Sequence, residues 1–169
     1  KFRLAVTAGG KTKWLGEFDS NYTSMRAGEV TWTCKDAELG VEIEMTVNPF
    51  IEAYGCAATA KIIKGDSVEL NWSYEWTSNI EIKDDYAMVT NPDYKYTQVY
   101  VGTEAKSTNI AKEGSRVRVA ESLSQGGESK FVCVWGYTDY NRQEVANAFN
   151  RLRYKPFVDQ AWAEQMKEK

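Results

Sequence analysis

Histidine is absent from the 169-residue sequence. Its absence excludes Ser-His-Asp and Cys-His nucleophilic arrangements, and it excludes metals held by histidine. Cysteine is scarce, and Cys34, Cys56 and Cys133 are widely separated, with no C-x-x-C pair of the kind that zinc or redox sites use. Each cysteine lies in an apolar, strand-like stretch. We therefore predict buried free thiols rather than a disulfide, and we predict neither a cofactor nor a metal.

The sequence also lacks an excess of positive charge. Lys and Arg number 21 against 24 Asp and Glu, which gives a net charge of -3 and a pI near 5.2. No basic field is available to neutralise phosphates, so nucleic acid is not a predicted partner. No apolar run approaches the roughly 18 residues of a bilayer-spanning helix, and no membrane span is predicted.

The ends of the sequence lack the features of a complete exported protein. No signal peptide is present, the first residues KFRLAVT begin in the middle of a strand pattern, and QMKEK closes the sequence within a predicted helix. We expect the chain to be an excised piece of a longer protein. Its length and its 43% hydrophobic content suit one domain with a substantial core.

Residues 2–135 alternate between apolar and polar side chains, in runs rich in β-branched and aromatic residues. This pattern predicts an all-β body. The predicted strands cover residues 3–7, 12–18, 29–35, 40–47, 51–63, 67–76, 86–90, 94–102, 115–122 and 130–137. Several strands exceed the usual length, which favours two large antiparallel sheets packed face to face as a β-supersandwich.

The segment NWSYEW places Trp72, Tyr74 and Trp76 on one face of a strand, where the rings either stack on sugars or line the core. A hairpin loop at residues 64–66 would set small residues opposite large ones: Ala60 with Leu70, Ala58 with Trp72, Cys56 with Tyr74 and Tyr54 with Trp76. This complementarity is typical of core packing, so we predict that the rings are buried.

A second predicted turn, at Asn48-Pro49, would add strand 40–47 beside the same apolar face. It would fold three apolar residues back toward the next strand, namely Val41, Ile43 and Met45 toward Cys56, Tyr54 and Glu52. The apolar face would then extend over three neighbouring strands.

The hydrophobic period changes after Tyr137. In DYNRQEVANAFNRL (139–152) the apolar residues fall at helical spacing, namely Val145, Ala148, Phe149 and Leu152. Lys155-Pro156 ends this predicted helix, and a second helix is predicted in PFVDQAWAEQMKEK. We therefore divide the chain into a β-supersandwich domain, residues 1–138, and a helical linker of one or two helices, residues 139–169.

An all-β body followed by a helix, a break and another helix resembles the N-terminal supersandwich domain of bacterial six-hairpin glycosidase-like proteins, which has a galactose-mutarotase-like architecture. Two stretches carry the resemblance: LGVEIEMTVNPFIEAYGCAATAKI, with its paired long strands, and FVCVWGYTDYNRQEVANAFNRL, with its strand-to-helix exit. The chain is similar in particular to an uncharacterised secreted family of gut polysaccharide degraders. The resemblance implies a following (α/α)6 barrel that carries the catalytic carboxylates.

The resemblance also implies a function. The chain would be the non-catalytic β-sandwich domain of an exported, periplasmic or extracellular, glycoside hydrolase-like protein. It would brace the catalytic barrel and contribute to carbohydrate binding, with the C-terminal domain of the same polypeptide and a poly- or oligosaccharide as partners. Two alternatives stay open: a free-standing carbohydrate-binding module and a self-contained all-β glycosidase.

Two aromatic groups are candidate contacts for carbohydrate or for the next domain. The first alternates along strand 94–102, where valines occupy the other face and the rings are predicted to be exposed: Tyr94, Tyr96 and Tyr100. The second lies where the last strand meets the helix: Trp135, Tyr137, Asp139, Tyr140 and Arg142. For the second group a seam between domains is favoured over a ligand site.

Paired acidic residues are the remaining candidates, because glycoside cleavage requires two carboxylates across the substrate. Glu42 and Glu44 alternate on the outward face of a strand, and Asp84-Asp85 lies in a polar loop. Solvated surface explains both pairs, since nothing nearby would raise the pKa of an acid, and no catalytic residue is predicted. The spacing of Asp93 from Asp84-Asp85 fits no calcium loop.

Overall fold

Strands account for most of the structure, a computed structural model that describes residues 1–50, 54–137, 145–151 and 153. The strands are β1 Phe2–Ala8, β2 Lys11–Trp14, β3 Ser20–Arg26, β4 Glu29–Asp36, β5 Val41–Pro49, β6 Tyr54–Lys64, β7 Val68–Glu75, β8 Asn79–Ile82, β9 Tyr86–Asn91, β10 Tyr94–Thr103, β11 Ile110–Glu113, β12 Arg116–Leu123 and β13 Glu128–Tyr137. A 3-10 turn covers Leu15–Glu17. Residues 145–151 and 153 are helical and are called the C-terminal helix below.

The strands form two antiparallel sheets. The five-stranded sheet has the order β11-β12-β7-β1-β2, and the eight-stranded sheet has the order β3-β4-β5-β6-β13-β10-β9-β8. A continuous apolar core lies between them, built from the inward-facing residues of both sheets. The predicted all-β, two-sheet sandwich is confirmed.

Trp72 lies at the centre of this core and is fully buried. Its indole stacks on Phe2 and Phe131, with ring centroids 5.7 and 5.5 Å away, and its N–H donates to Ser129 Oγ at 2.8 Å. Tyr74 and Trp76 are half-buried and pack against the same core. The prediction that NWSYEW belongs to the core is therefore confirmed.

The predicted hairpin between residues 51–63 and 67–76 is wrong. β6 pairs with β5 and β13, whereas β7 pairs with β1 and β12, so the chain crosses from one sheet to the other between them. Because each strand already has a partner on both edges, neither has an edge left for the other. Tyr74 instead lies across the core from Cys133 and Cys56; burial, and then these two thiols, raise its pKa.

The second predicted turn correctly identifies which two strands pair but gives the wrong register between them. β5 does pair with β6, but β5 continues to Pro49, so Met45 lies opposite Ala60 rather than Glu52. Met45 and Ala60 both still face the core. From Ile43 onward the displacement is an even number of residues, which leaves these side chains on their predicted faces.

Three strands that the sequence did not predict are β3, β8 and β11, and all three lie at sheet edges. β8 and β11 have only four residues each, and β3 is almost wholly exposed, so none has the apolar alternation of an inner strand. The predicted strand 12–18 ends early, at Trp14, where the 3-10 turn begins.

The C-terminal helix packs on the outer face of the eight-stranded sheet. Val145 and Phe149 are buried there in a second apolar cluster, whose other buried members are Phe50, Ala57, Tyr100, Val132 and Val134. Gly136 allows this close approach, because a Cβ at that position would overlap Val145 Cγ2. The helix predicted over 139–152 is confirmed for residues 145–151; its first residues and the second predicted helix lie outside the described residues.

The three cysteines are free, as predicted; Cys34 and Cys133 are buried and Cys56 is half-buried. Burial raises the pKa of the Cys34 thiol to about 11 and also raises the pKa of Cys133 and of Cys56. Within the described ranges, no helix has the length and apolar character needed to cross a bilayer.

Candidate functional site

Two exposed aromatic side chains lie side by side at one end of the eight-stranded sheet. Tyr54 of β6 and Trp135 of β13 are cross-strand partners, and 70% and 40% of their surfaces are exposed. Alternation along β13 places Trp135 on the face that also carries the core residue Cys133. The pair, which we call the aromatic rim, therefore extends the inner face of this sheet beyond the end of the core.

The sequence predicted only half of the aromatic rim. Trp135 was a candidate, but Tyr54 was expected to pair with Trp76 inside the core, which is wrong because Tyr54 is largely exposed. The error follows from the false hairpin, which placed Tyr54 beside Trp76 on neighbouring strands of one sheet, whereas the two strands belong to different sheets. No local signal in the sequence distinguishes Tyr54 from the core residues of the same predicted strand, 51–63.

The three tyrosines of strand 94–102 do not form one exposed row. Tyr94 is 65% exposed at the tip of the β9–β10 hairpin, but Tyr100 is only 6% exposed because the C-terminal helix covers it. Its ring lies against Phe149 at a centroid distance of 5.7 Å. A register shift in β10 between Tyr94 and Gln98 also breaks the simple alternation. The predicted exposure of Tyr100 is thus wrong, and the side chain of Tyr96 lies outside the described residues.

Of the second candidate group, the structure describes the side chain of Trp135 alone. The side chain of Tyr137, together with Asp139, Tyr140 and Arg142, lies outside the described residues. Their role as carbohydrate or interdomain contacts stays a prediction.

Arg153 fastens the C-terminal helix to the sheet. The side chain is 1% exposed, and its guanidinium donates to Asp85 Oδ1 at 3.0 Å, to the Asp85 carbonyl at 2.6 Å and to the Thr103 carbonyl at 3.0 Å. It also lies 4.9 Å from the centre of the Phe149 ring. Sequence reasoning missed Arg153, although it continues the i, i+4, i+8 stripe of Val145 and Phe149.

This anchor corrects the interpretation of Asp85 as solvated surface. Asp85 is half-buried and forms an ion pair with a buried guanidinium, whereas its neighbour Asp84 is exposed. Asp84 and Asp93 lie beyond opposite ends of β9, so these acids do not converge on one point. Among the residues that the structure describes, no group of three or more Cys, Asp or Glu is placed to hold a metal ion.

The other acidic pair lies on the surface as predicted. Glu44 is exposed, and Glu42 is half-buried with its carboxylate 3.6 Å from Lys35 Nζ across the β4–β5 pair. Neither carboxylate is enclosed in the way that a general acid with a raised pKa requires.

A cleft of about 690 Å³ lies where edge strands β8 and β11 of the two sheets meet. Its lining consists of Ile82, Lys83, Asp84, Asp85, Tyr86, Thr108 and Ile110. Asp85, which Arg153 anchors, forms part of one wall, so the C-terminal helix and the cleft share a residue.

No family model matches the sequence. No curated protein matches it either. Among solved structures, a bacterial glucoamylase complexed with acarbose has a TM-score of 0.68 and 10% identity, and the match covers 99% of this chain and 31% of that chain. A protein assigned as a kojibiose phosphorylase, from the human microbiome, has a TM-score of 0.57 and 6% identity. That match covers 98% of this chain and 25% of the phosphorylase chain.

At such low identity these likenesses show the fold alone. The chain spans less than a third of the length of either structure. The predicted resemblance is therefore confirmed at the level of a β-sandwich that also occurs within larger glycoside-processing proteins.

Proposed function

We propose that this chain is the non-catalytic, N-terminal β-sandwich domain of an exported glycoside hydrolase-like protein, in which it braces a catalytic domain of the same polypeptide. One observation carries the proposal: nearly the whole chain shares its fold with less than a third of a glucoamylase and of an assigned kojibiose phosphorylase. The two acidic pairs support a non-catalytic role, because neither forms two enclosed carboxylates across a cavity.

The aromatic rim is the surface that the proposal assigns to the partner domain. Tyr54 and Trp135 expose two large rings next to each other, and side chains of this kind dominate interface energetics. Covering each ring would contribute about 1.5–3 kcal/mol. The rim also adjoins residue 137, the last described residue of β13.

The test of the rim uses the longer polypeptide that contains this chain. Replacing Tyr54 and Trp135 by serine should lower the midpoint of thermal unfolding of the following domain, since the two rings no longer contact it. Tyr22→Ser is the matched control, because Tyr22 is 68% exposed on the outer face of the same sheet. Equal midpoints for the rim variant and the control would contradict this assignment.

A carbohydrate-binding module is the second candidate, and the exposed rings of the aromatic rim favour it, because aromatic faces pack against sugars. This function predicts that the 169-residue chain binds an insoluble polysaccharide by itself. Binding would then be lost on the double serine replacement at the rim and kept in Tyr22→Ser.

Export is part of the proposal and has its own measurement. The longer polypeptide should appear in the periplasmic or extracellular fraction of its native cell. Its recovery with cytoplasmic enzymes would contradict export without affecting the bracing role.

A further inference from the structure

The cleft between β8 and β11 has two walls that are fixed before any ligand arrives. One wall is the tight turn from β8 to β9, closed by a hydrogen bond from the Lys83 N–H to the Tyr86 carbonyl at 2.8 Å. The buried Arg153 holds the same turn through the side chain and carbonyl of Asp85. A preorganised wall of this kind loses little conformational entropy when a ligand binds.

The opposite wall is the segment between β10 and β11, and hydrogen bonds fix it on both sides of Thr108. The Ser107 N–H donates to Thr103 Oγ1 at 3.0 Å, and the Ser107 hydroxyl donates to the Ala120 carbonyl at 2.7 Å. The Ala120 N–H in turn donates to the Asn109 carbonyl at 2.9 Å. Thr108 is thus presented to the cleft from an anchored segment.

The polar groups that remain free to bind are on both walls. Asp84 and Thr108 are exposed, and neither has a hydrogen-bond partner among the described residues. Lys83 is already bound to Glu81, and Asp85 is already bound to Arg153. The cleft is thus lined by a free carboxylate, which is a strong acceptor, and by a free hydroxyl, which can both donate and accept a hydrogen bond.

Apolar side chains complete the lining. Ile82 is 37% exposed and Ile110 is half-buried, whereas the half-buried ring of Tyr86 packs against Tyr100 and Phe149 on the outer face of the sheet. A ligand that suits this lining has both an apolar face and several hydroxyls. A free anion is disfavoured by the carboxylates of Asp84 and Asp85, and a bound cation is disfavoured because the described residues include no group of three metal ligands.

We propose that this cleft binds a neutral saccharide, with hydroxyls donating to Asp84 and exchanging hydrogen bonds with Thr108 while the C–H face of a ring packs on Ile82 and Ile110. The volume of about 690 Å³ lies within the range of ligand pockets. The choice of a saccharide among neutral polar ligands rests on the proposed function. The description of the cleft and of its free polar groups is independent of that function.

The test titrates the isotope-labelled 169-residue chain with glucose, galactose, maltose and xylobiose and follows backbone amide chemical shifts. At least one sugar should shift residues 82–86 and 108–110 together. Asp84→Ala and Thr108→Val should each weaken that binding by about tenfold or more, because each removes a hydrogen-bonding group. Asp93→Ala, which removes an exposed acid beyond the other end of β9, should leave the binding unchanged.

Three results would overturn the proposal: no sugar shifts these residues, Asp84→Ala and Thr108→Val bind as the unaltered chain does, or Ca²⁺ or inorganic phosphate alone produces the shifts. Asp84→Asn keeps the shape of the turn and guards against a folding defect. The serine replacements at Tyr54 and Trp135 should not affect cleft binding. A failure at the cleft therefore leaves the bracing role standing, and a failure of the rim leaves the cleft standing.

Discussion

At the scale of single residues, Trp72 shows how a large ring that carries a polar N–H group is accommodated in an apolar core. The rings of Phe2 and Phe131 pack against its indole and against each other, and Ser129 accepts its indole N–H. The side chain of Ser129 is therefore necessary although small, because without it a buried donor would have no partner.

Two substitutions test this arrangement. Trp72→Ala should lower the free energy of unfolding by about 3–5 kcal/mol, because it leaves a cavity between the sheets. Ser129→Ala should lower the free energy of unfolding by about 1–3 kcal/mol, since it removes little volume but leaves the indole N–H without a hydrogen-bond acceptor. Urea unfolding followed by tryptophan fluorescence measures both. A Ser129→Ala variant as stable as the unaltered chain would contradict the role of this hydrogen bond.

Asp36 provides a pH-dependent contribution to stability. Burial alone raises the pKa of its carboxyl, but hydrogen bonds from Lys13 Nζ at 2.9 Å and from the Leu39 and Asp19 N–H groups outweigh burial and hold the pKa below its usual value. A carboxyl with a lowered pKa stabilises the folded state above its unfolded pKa, and this contribution is lost as the pH falls through the folded pKa.

We therefore expect Asp36→Asn to unfold at a lower urea concentration than the unaltered chain near pH 7. The difference should shrink as the pH falls below the usual pKa of aspartate, about 3.9. Urea midpoints measured over this range supply the test. A difference that stays constant down to about pH 2 would show that the charge of Asp36 does not contribute.

The cysteines give a further residue-scale prediction. Because Cys34 and Cys133 are buried and the pKa of each thiol is raised, both should resist alkylation by iodoacetamide in the folded chain near pH 8 and react fully once unfolded. Mass spectrometry of labelled peptides would measure this. Rapid labelling of Cys133 in the folded chain would contradict the core assignment.

At the scale of elements, the C-terminal helix depends on one buried charge and two glycines. Arg153 binds the turn at Asp85, and Gly136 and Gly102 give Val145 and Phe149 room against the sheet. Arg153→Met should lower the free energy of unfolding by about 3 kcal/mol, because it leaves a half-buried carboxylate and two carbonyls without their donor. Hydrogen exchange should become faster in residues 145–153 while the inner strands keep their protection. Faster exchange in β7 as well would contradict a local anchor.

Apart from β3, β8 and β11, the existence of the strands and the face that their residues take could be predicted from the period-two pattern, since burial of one face requires it. The pairing of β6 with β13 instead of β7 could not be predicted. A short loop such as residues 64–66 can close a hairpin or carry the chain from one sheet to the other, and the sequence does not distinguish the two. Small residues such as Ala58 complement large rings in either arrangement. The edge strands β3, β8 and β11 lack apolar alternation because they have little core to cover.

The candidate site was less predictable than the fold, and the reason is geometric. Exposure of Tyr54, and burial of Tyr100, depend on where the opposite sheet ends and where the C-terminal helix packs, and neither is encoded in the local pattern. The cleft joins residues 82–86 with Thr108 and Ile110, which are distant in sequence, so only the meeting of the two sheets reveals it.

At the scale of the whole molecule, the two sheets form a body with the exposed aromatic rim, which we propose as a docking surface, and a cleft beside the residues that bind Arg153. The central claim is that this body braces a following domain. Calorimetric unfolding of the longer polypeptide, compared with the same polypeptide lacking residues 1–137, tests that claim most directly. We predict that removal of these residues lowers the unfolding temperature of the remaining domain by several degrees; an unchanged unfolding temperature would contradict the account.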